Sequence, residues 1–181
     1  MEETFKIVCK EKVYYKTGIQ FQQFNTLFQL LSEKKREVNL LNRTDKMLLI
    51  PDFLNFLLTG IKKAEYTIVS TTSLADPLRR NWSWDLIDAF DLPRRIFPEI
   101  VEPGTVLGKL QKTVAEESGL NENIPVFASA NHDTASAVVS APAFDQNWAF
   151  LSSGTWSLMG IELEHSVLTS EAVVKRNIKV F

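Results

Sequence analysis

The chain has 181 residues, enough for one domain with a sizeable core. Its 45% hydrophobic and 23% charged residues are ordinary for a soluble globular protein, and the net charge of −2, from acids and bases mixed along the chain, offers no electrostatic surface for nucleic acid. The single Cys9 excludes an intramolecular disulfide framework and fits a reducing cytosol; the start, Met1-Glu2-Glu3-Thr4-Phe5-Lys6, lacks the basic and apolar regions of a signal peptide; and the most apolar stretch, Met47 to Leu58, is too short to span a bilayer and is broken by Pro51, Asp52 and Asn55. A cytoplasmic protein with no membrane partner is expected.

Residues 2–16 read as a modest helix of alternating charge. From Gly18 onward, Phe21, Phe24, Leu27, Phe28 and Leu31 fall at helical spacing and predict a core-facing helix, with Lys34-Lys35-Arg36-Glu37 as its solvated end. Lys46 to Ile50 reads as a short strand or as the lead-in to a helix. In that helix Pro51 takes a favoured first position and Gly60 provides the stop. A second helical pattern covers 63–74, Asp76-Pro77 marks a loop, and Trp82 to Phe90 looks helical. Pro93, Pro98, Pro103 and Gly104 punctuate a long irregular stretch. Lys109 to Ser118 predicts a helix closed by Gly119.

Ile124 to Ala130 is an apolar, β-prone run that stops abruptly at Asn131-His132-Asp133, and the small residues of 134–140 predict a helix ended by Pro142. Asp133 therefore falls where a buried strand hands over to a helix. Residues 143–147 form a turn. Trp148 onward then reads as strand, tight turn at Ser152-Ser153-Gly154-Thr155, and strand. The two polar turns, with Asp133 and Thr155 twenty-two residues apart, are expected to face one cleft. There is no internal repeat with a period of 20–50 residues and no compositionally biased segment.

The stretch His132-Asp133-Thr134-Ala135-Ser136-Ala137-Val138, followed by Leu151-Ser152-Ser153-Gly154-Thr155-Trp156-Ser157-Leu158-Met159-Gly160, resembles the rhamnulokinases, a branch of the FGGY sugar kinases. Thr17-Gly18-Ile19-Gln20-Phe21, Phe24-Asn25-Thr26-Leu27, Pro51-Asp52-Phe53-Leu54, Leu58-Thr59-Gly60, Glu65-Tyr66-Thr67 and Pro103-Gly104-Thr105-Val106-Leu107-Gly108 carry the same resemblance, which runs from about residue 13 to about residue 171. It implies an α/β fold of the actin-like (ribonuclease H-like) ATPase type. Residues 1–144 would be the later part of a first, sugar-binding domain, and residues 145–181 would begin a second, ATP-binding domain with its first hairpin. The family's Asp-Gly phosphate loop would lie upstream and its adenosine-gripping Gly-rich segment downstream, so the chain resembles a middle section. The tail departs from the family pattern: after Leu168-Thr169-Ser170-Glu171-Ala172 it reads Val173-Val174-Lys175-Arg176-Asn177-Ile178-Lys179-Val180-Phe181.

The resemblance implies an ATP-dependent kinase, with Mg²⁺ arriving on ATP, that converts L-rhamnulose to L-rhamnulose 1-phosphate in rhamnose catabolism. Such a fragment is expected to be inactive alone and to self-associate through open sheet edges. The alternatives are another FGGY ketose or polyol kinase and a catalytically dead remnant. Phosphoryl transfer needs positioning, charge neutralisation and an acceptor for the hydroxyl proton. By resemblance Asp133 is that acceptor, with His132, Asp133 and Thr134 contacting the sugar. On spacing alone, an Asp before Thr-Ala-Ser reads better as a helix N-cap, and the two roles are compatible. Thr155, with Gly154, is implied as the ATP-phosphate contact, although a Ser-Gly-Thr turn by itself suits any hairpin.

Asn131 is bulkier than the Gly or Ser common before the family's His-Asp, but Asn tolerates a left-handed turn there. Trp148 and Trp156 read as packing residues. Gln20, Gln22, Gln23 and Asn25 read equally as sugar-side or surface polar groups. His165 is expected to be exposed and far from His132, so no metal site built from protein ligands is expected. A hydrolase triad is set aside, because no Gly-x-Ser-x-Gly elbow exists and the adjacent His132 and Asp133 cannot orient each other.

Overall fold

A computed structural model describes residues 1–37, 39–143, 145, 148–164 and 166–169. The expected first helix is two: α1 (Glu2–Ile7) and α2 (Lys10–Thr17), broken by extended backbone at Val8. Gly18 ends α2 with a left-handed φ of 62°, a conformation that favours glycine. The helical spacing that starts at Phe21 overreaches. Helix α3 begins only at Thr26 and runs to Arg36, and Phe24, ahead of it, is exposed. Phe21 instead packs edge-on against Phe5, which also meets Phe28. Asn25 precedes the helix and is buried; its Oδ1 accepts from Gln22 N–H and its Nδ2 donates to the Thr71 carbonyl. Those bonds account for Asn25 structurally. The basic end of α3 is only partly solvated, because Lys34 donates to the Phe90 and Asp91 carbonyls and pairs with the Asp91 carboxylate.

After the short α4 (Leu40–Arg43), residues 46–49 form the lead-in rather than a strand. Helix α5 (Ile50–Thr59) starts with Pro51 in its first turn and closes on Gly60 at φ 75°. The segment expected to be helical from residue 63 opens instead with β1 (Lys63–Glu65), turns into the one-turn α6 (Tyr66–Val69), and ends in a 3₁₀ turn at Ser70–Thr72. Then come the hairpin of β2 (Ala75–Asp76) and β3 (Asn81–Trp82) and helix α7 (Trp84–Ala89). The stretch that reads as irregular contains β4 (Glu99–Val101), which pairs in parallel with β1. A parallel pair needs a crossover, and residues 66–98 supply it. The core is gathered in and around that crossover. Leu27, Val69, Leu74, Trp82, Leu86, Ile87, Ile96 and Phe97 are buried in one cluster, and Trp82 Nε1 donates to the Pro98 carbonyl at 2.7 Å.

Strands β5 (Val106–Lys109) and β6 (Pro125–Phe127) pair antiparallel across α8 (Lys112–Ser118), which Gly119 caps. The strand feeding Asp133 is thus present but is not buried as expected. Phe127 is 51% exposed, and of this run Ala128 alone is buried. Helix α9 (Asp133–Val139) follows. The hairpin of β7 (Phe150–Ser153) and β8 (Ser157–Gly160) then forms in the register Phe150 opposite Gly160. His165 and residues 170–181, with the tail that departs from the family pattern, lie outside the described residues, as do Phe144, Gln146 and Asn147 around the expected domain boundary.

Candidate active site

His132, rather than Asp133, is the N-cap of α9: its Nδ1 accepts from Ala135 N–H at 3.2 Å. Asp133 is therefore the first helical residue. That releases its carboxylate from capping, and the side chain is 96% exposed. Asp133 Oδ1 accepts from the Thr134 backbone N–H at 2.6 Å and from the Thr134 hydroxyl at 3.3 Å, and lies 4.0 Å from His132 Nε2. An imidazole, a carboxylate and a hydroxyl thus share one turn. The carboxylate and the hydroxyl offer a donor and acceptors to a polyhydroxy ligand, with the accessible Asp133 carboxylate to take a proton, whereas His132 is buried and its Nδ1 is engaged by Ala135 N–H.

The backbone beneath this turn is pinned from the β1–α6 corner. Glu65, 1% exposed, caps α6 through its side chain, accepting from Thr67 N–H and Ile68 N–H. Its Oε2 also accepts from the Thr67 hydroxyl at 2.6 Å and from Asn131 N–H at 3.0 Å. The Thr67 hydroxyl, with its proton directed to Glu65, accepts His132 N–H at 3.1 Å. One layer further in, Asp52 on α5 is 2% exposed, and its Oδ1 accepts from Glu65 N–H at 3.0 Å and Asn131 Nδ2 at 3.2 Å. Burial pushes the Asp52 carboxyl up to about 7, against the lowering effect of the Glu65 N–H bond; the nearby Glu65 charge adds to the rise. Its Oδ2 has no hydrogen-bond partner among the described residues.

Asn131 consequently does not need the left-handed turn expected of it. It is absent from the positive-φ residues, and its side chain bridges Asp52 and the Ser129 hydroxyl. Asp52, Glu65 and Thr67 lie in stretches that carry the family resemblance, but the sequence assigns them no role in the site. Glu is not a favoured N-cap, and the contact between Glu65 and Asn131 spans sixty-six positions.

The second turn is a three-residue loop, Gly154-Thr155-Trp156, between β7 and β8. Gly154 and Thr155 are both exposed, and Gly154 N–H is engaged by the Trp156 carbonyl at 2.8 Å. Of the expected phosphate contacts, the Thr155 hydroxyl is thus open, whereas the Gly154 amide must first release Trp156. Trp156 is 62% exposed and so is not the packing residue expected; Trp148 does pack, against Phe150. The two turns are connected by α9, which rests on β7. No group of three or more His, Cys, Asp or Glu suited to a metal occurs among the described residues.

Comparison with known proteins places these elements. Residues 1–140 match the FGGY family of carbohydrate kinases, N-terminal domain. A rhamnulokinase from Oceanobacillus iheyensis is 43% identical over 96% of this chain and 36% of its own length, and one from Bacteroides thetaiotaomicron is 44% identical over 94% and 35%. The chain spans about a third of the length of these relatives. In three dimensions the chain is similar to a ligand-bound xylulose kinase from Lactobacillus acidophilus, with a TM-score of 0.77 and 19% identity over 87% of this chain and 32% of that one. The expected actin-like α/β fold, present in part, therefore holds, with four separate strand pairs among the described residues. The chain belongs to the FGGY family of carbohydrate kinases.

Proposed function

We propose that this chain is the sugar-side and first phosphate-side part of an ATP-dependent kinase that converts L-rhamnulose to L-rhamnulose 1-phosphate. Residues 1–144 belong to the sugar-binding domain and 145 onward to the start of the ATP-binding domain. The observation that carries the reading is the exposed Asp133 carboxylate beside His132 and Thr134, on a backbone pinned by buried groups. The sugar hydroxyl attacks the γ-phosphorus. Its O–H proton passes to the Asp133 carboxylate, the new P–O bond forms, and ADP leaves with the electrons of the broken P–O bond. His132 and Thr134 hydrogen-bond the sugar, and the Thr155 hydroxyl contacts a phosphate of ATP. Mg²⁺ comes bound to ATP phosphates, a cation that keeps most of its ligands from phosphate and water. Large exposed apolar side chains also support self-association of the chain alone.

The test is a chimera in which this chain replaces the segment it matches in the Oceanobacillus iheyensis relative. ³¹P NMR should show a sugar phosphate from L-rhamnulose and ATP. Product from another ketose or polyol, and none from L-rhamnulose, would move the substrate within the family; a folded chimera that phosphorylates no sugar would support a dead remnant. In the same chimera Thr155→Val deletes one hydroxyl and keeps the shape. It should weaken ATP by roughly 10- to 100-fold, the range for a hydrogen bond to a charged group, and leave sugar affinity unchanged. Calorimetry with the opposite pattern would remove Thr155 from the phosphate role.

A further inference from the structure

The turn that presents Asp133 is not anchored by its own helix or strand alone. Strand β6 ends at Phe127 and α9 begins at Asp133, and just ahead of α9 the backbone meets the β1–α6 corner. There, two successive backbone N–H groups, those of Asn131 and His132, are received by the Glu65 carboxylate and the Thr67 hydroxyl. Both acceptors are buried, and they are joined by the 2.6 Å bond from Thr67 to Glu65. That bond fixes the direction of the hydroxyl: its proton faces Glu65, so its lone pairs face His132. Glu65 is held in turn by Thr67 N–H and Ile68 N–H. An orphaned buried N–H is costly, so these acceptors decide where the 131–132 backbone sits. The next residue along that backbone is Asp133.

We propose that Thr67, backed by the Glu65 carboxylate, is a positioning residue that fixes the Asn131–His132 backbone and thereby the Asp133 carboxylate for proton transfer. This rests on Asp133 being the base. Thr67 touches neither sugar nor ATP in this scheme, so its effect falls on the rate of the chemical step. A misplacement of the order of 1 Å at a reacting group can cost about a hundredfold.

Thr67→Val keeps the branched shape and removes the hydroxyl; Thr67→Ser restores the hydroxyl without the methyl. Amide hydrogen exchange on the 181-residue chain, and on the chimera, reads the anchor directly. Thr67→Val should raise the exchange rate of His132 N–H at least tenfold, while the amides of α7 stay protected. In the chimera kcat should fall by about 10- to 100-fold with KM for ATP unchanged, and Thr67→Ser should recover both His132 protection and kcat. A folded Thr67→Val protein with unaltered His132 exchange and kcat would overturn the proposal. So would a loss that Thr67→Ser fails to recover, since that marks packing rather than the hydroxyl. Asp133→Asn run alongside separates the two readings. If it retains full turnover, the base assignment fails, whereas the exchange result at His132 judges the anchor independently.

Discussion

Up to Phe97 a cluster of large apolar side chains is sealed, with Leu27, Leu74, Leu86, Ile87 and Ile96 buried together with Trp82, although α5 leaves Ile50, Phe53, Leu54, Leu57 and Leu58 exposed. Beyond Val101 the large apolar side chains turn outward, with Val106, Phe127, Val139, Leu151, Trp156 and Met159 all exposed. Among the described residues of this later part, the buried apolar ones are small alanines, Ala115, Ala128 and Ala135. Stability therefore resides in the first region, while the candidate chemistry, Asp133 and Thr155, sits in the second. A thinly packed region cannot hold a carboxylate in place by packing alone. Buried hydrogen bonds from Glu65 and Thr67 take over that task, carrying rigidity from the packed region into the exposed one.

The contrast can be broken most forcefully at Trp82. It is buried, meets Phe97 edge-on at 5.0 Å, and donates to the Pro98 carbonyl. Trp82→Ala should cost about 3–5 kcal/mol, measured by urea unfolding; a loss below about 1 kcal/mol would mean that the core lies elsewhere. At the junction, Asp52→Asn probes the buried carboxyl. The folded-state pKa of Asp52 is raised from 3.8 to about 7, so its stabilising contribution is full below about pH 4 and is lost as pH rises through 7. Asn copies the neutral form and keeps an acceptor for Glu65 N–H. The variant should therefore be the more stable of the two at pH 8, by on the order of 2–4 kcal/mol, with the gap closing toward pH 4. Unfolding curves at pH 5 and pH 8 with equal gaps would contradict the assignment. The smallest effect is expected at Met159 on β8, where Met159→Ser should change stability by no more than about 0.5 kcal/mol. A larger loss would show that this face is covered.

The sequence is legible where one residue dictates local backbone. Gly60 and Gly119 end helices with left-handed φ as read, and the Ser-Ser-Gly-Thr run does join two strands, although Ser152 and Ser153 lie in β7 and the loop itself is Gly154–Trp156. It misleads where periodicity outruns the helix, as at Phe24, and where pairing is non-local. Lys63-Ala64-Glu65 and Glu99-Ile100-Val101 are three-residue strands too short to show alternation, and only their parallel register reveals them. The site follows the same division. Asp133, His132 and Thr134 could be singled out as a contiguous motif. Asp52, Glu65 and Thr67 stand in stretches that carry the resemblance, but their part in the site is not legible, because it lies in hydrogen bonds to a turn more than sixty residues away.

The central claim is that Asp133 accepts the hydroxyl proton during phosphoryl transfer. Asp133→Asn in the chimera keeps size and hydrogen bonding and removes the basic oxygen. Turnover of L-rhamnulose should drop by about 10²- to 10⁴-fold, the range for a positioned general base, while ATP affinity measured by calorimetry stays within about twofold. Near-parental turnover by that variant, with ATP bound equally well, would contradict the account.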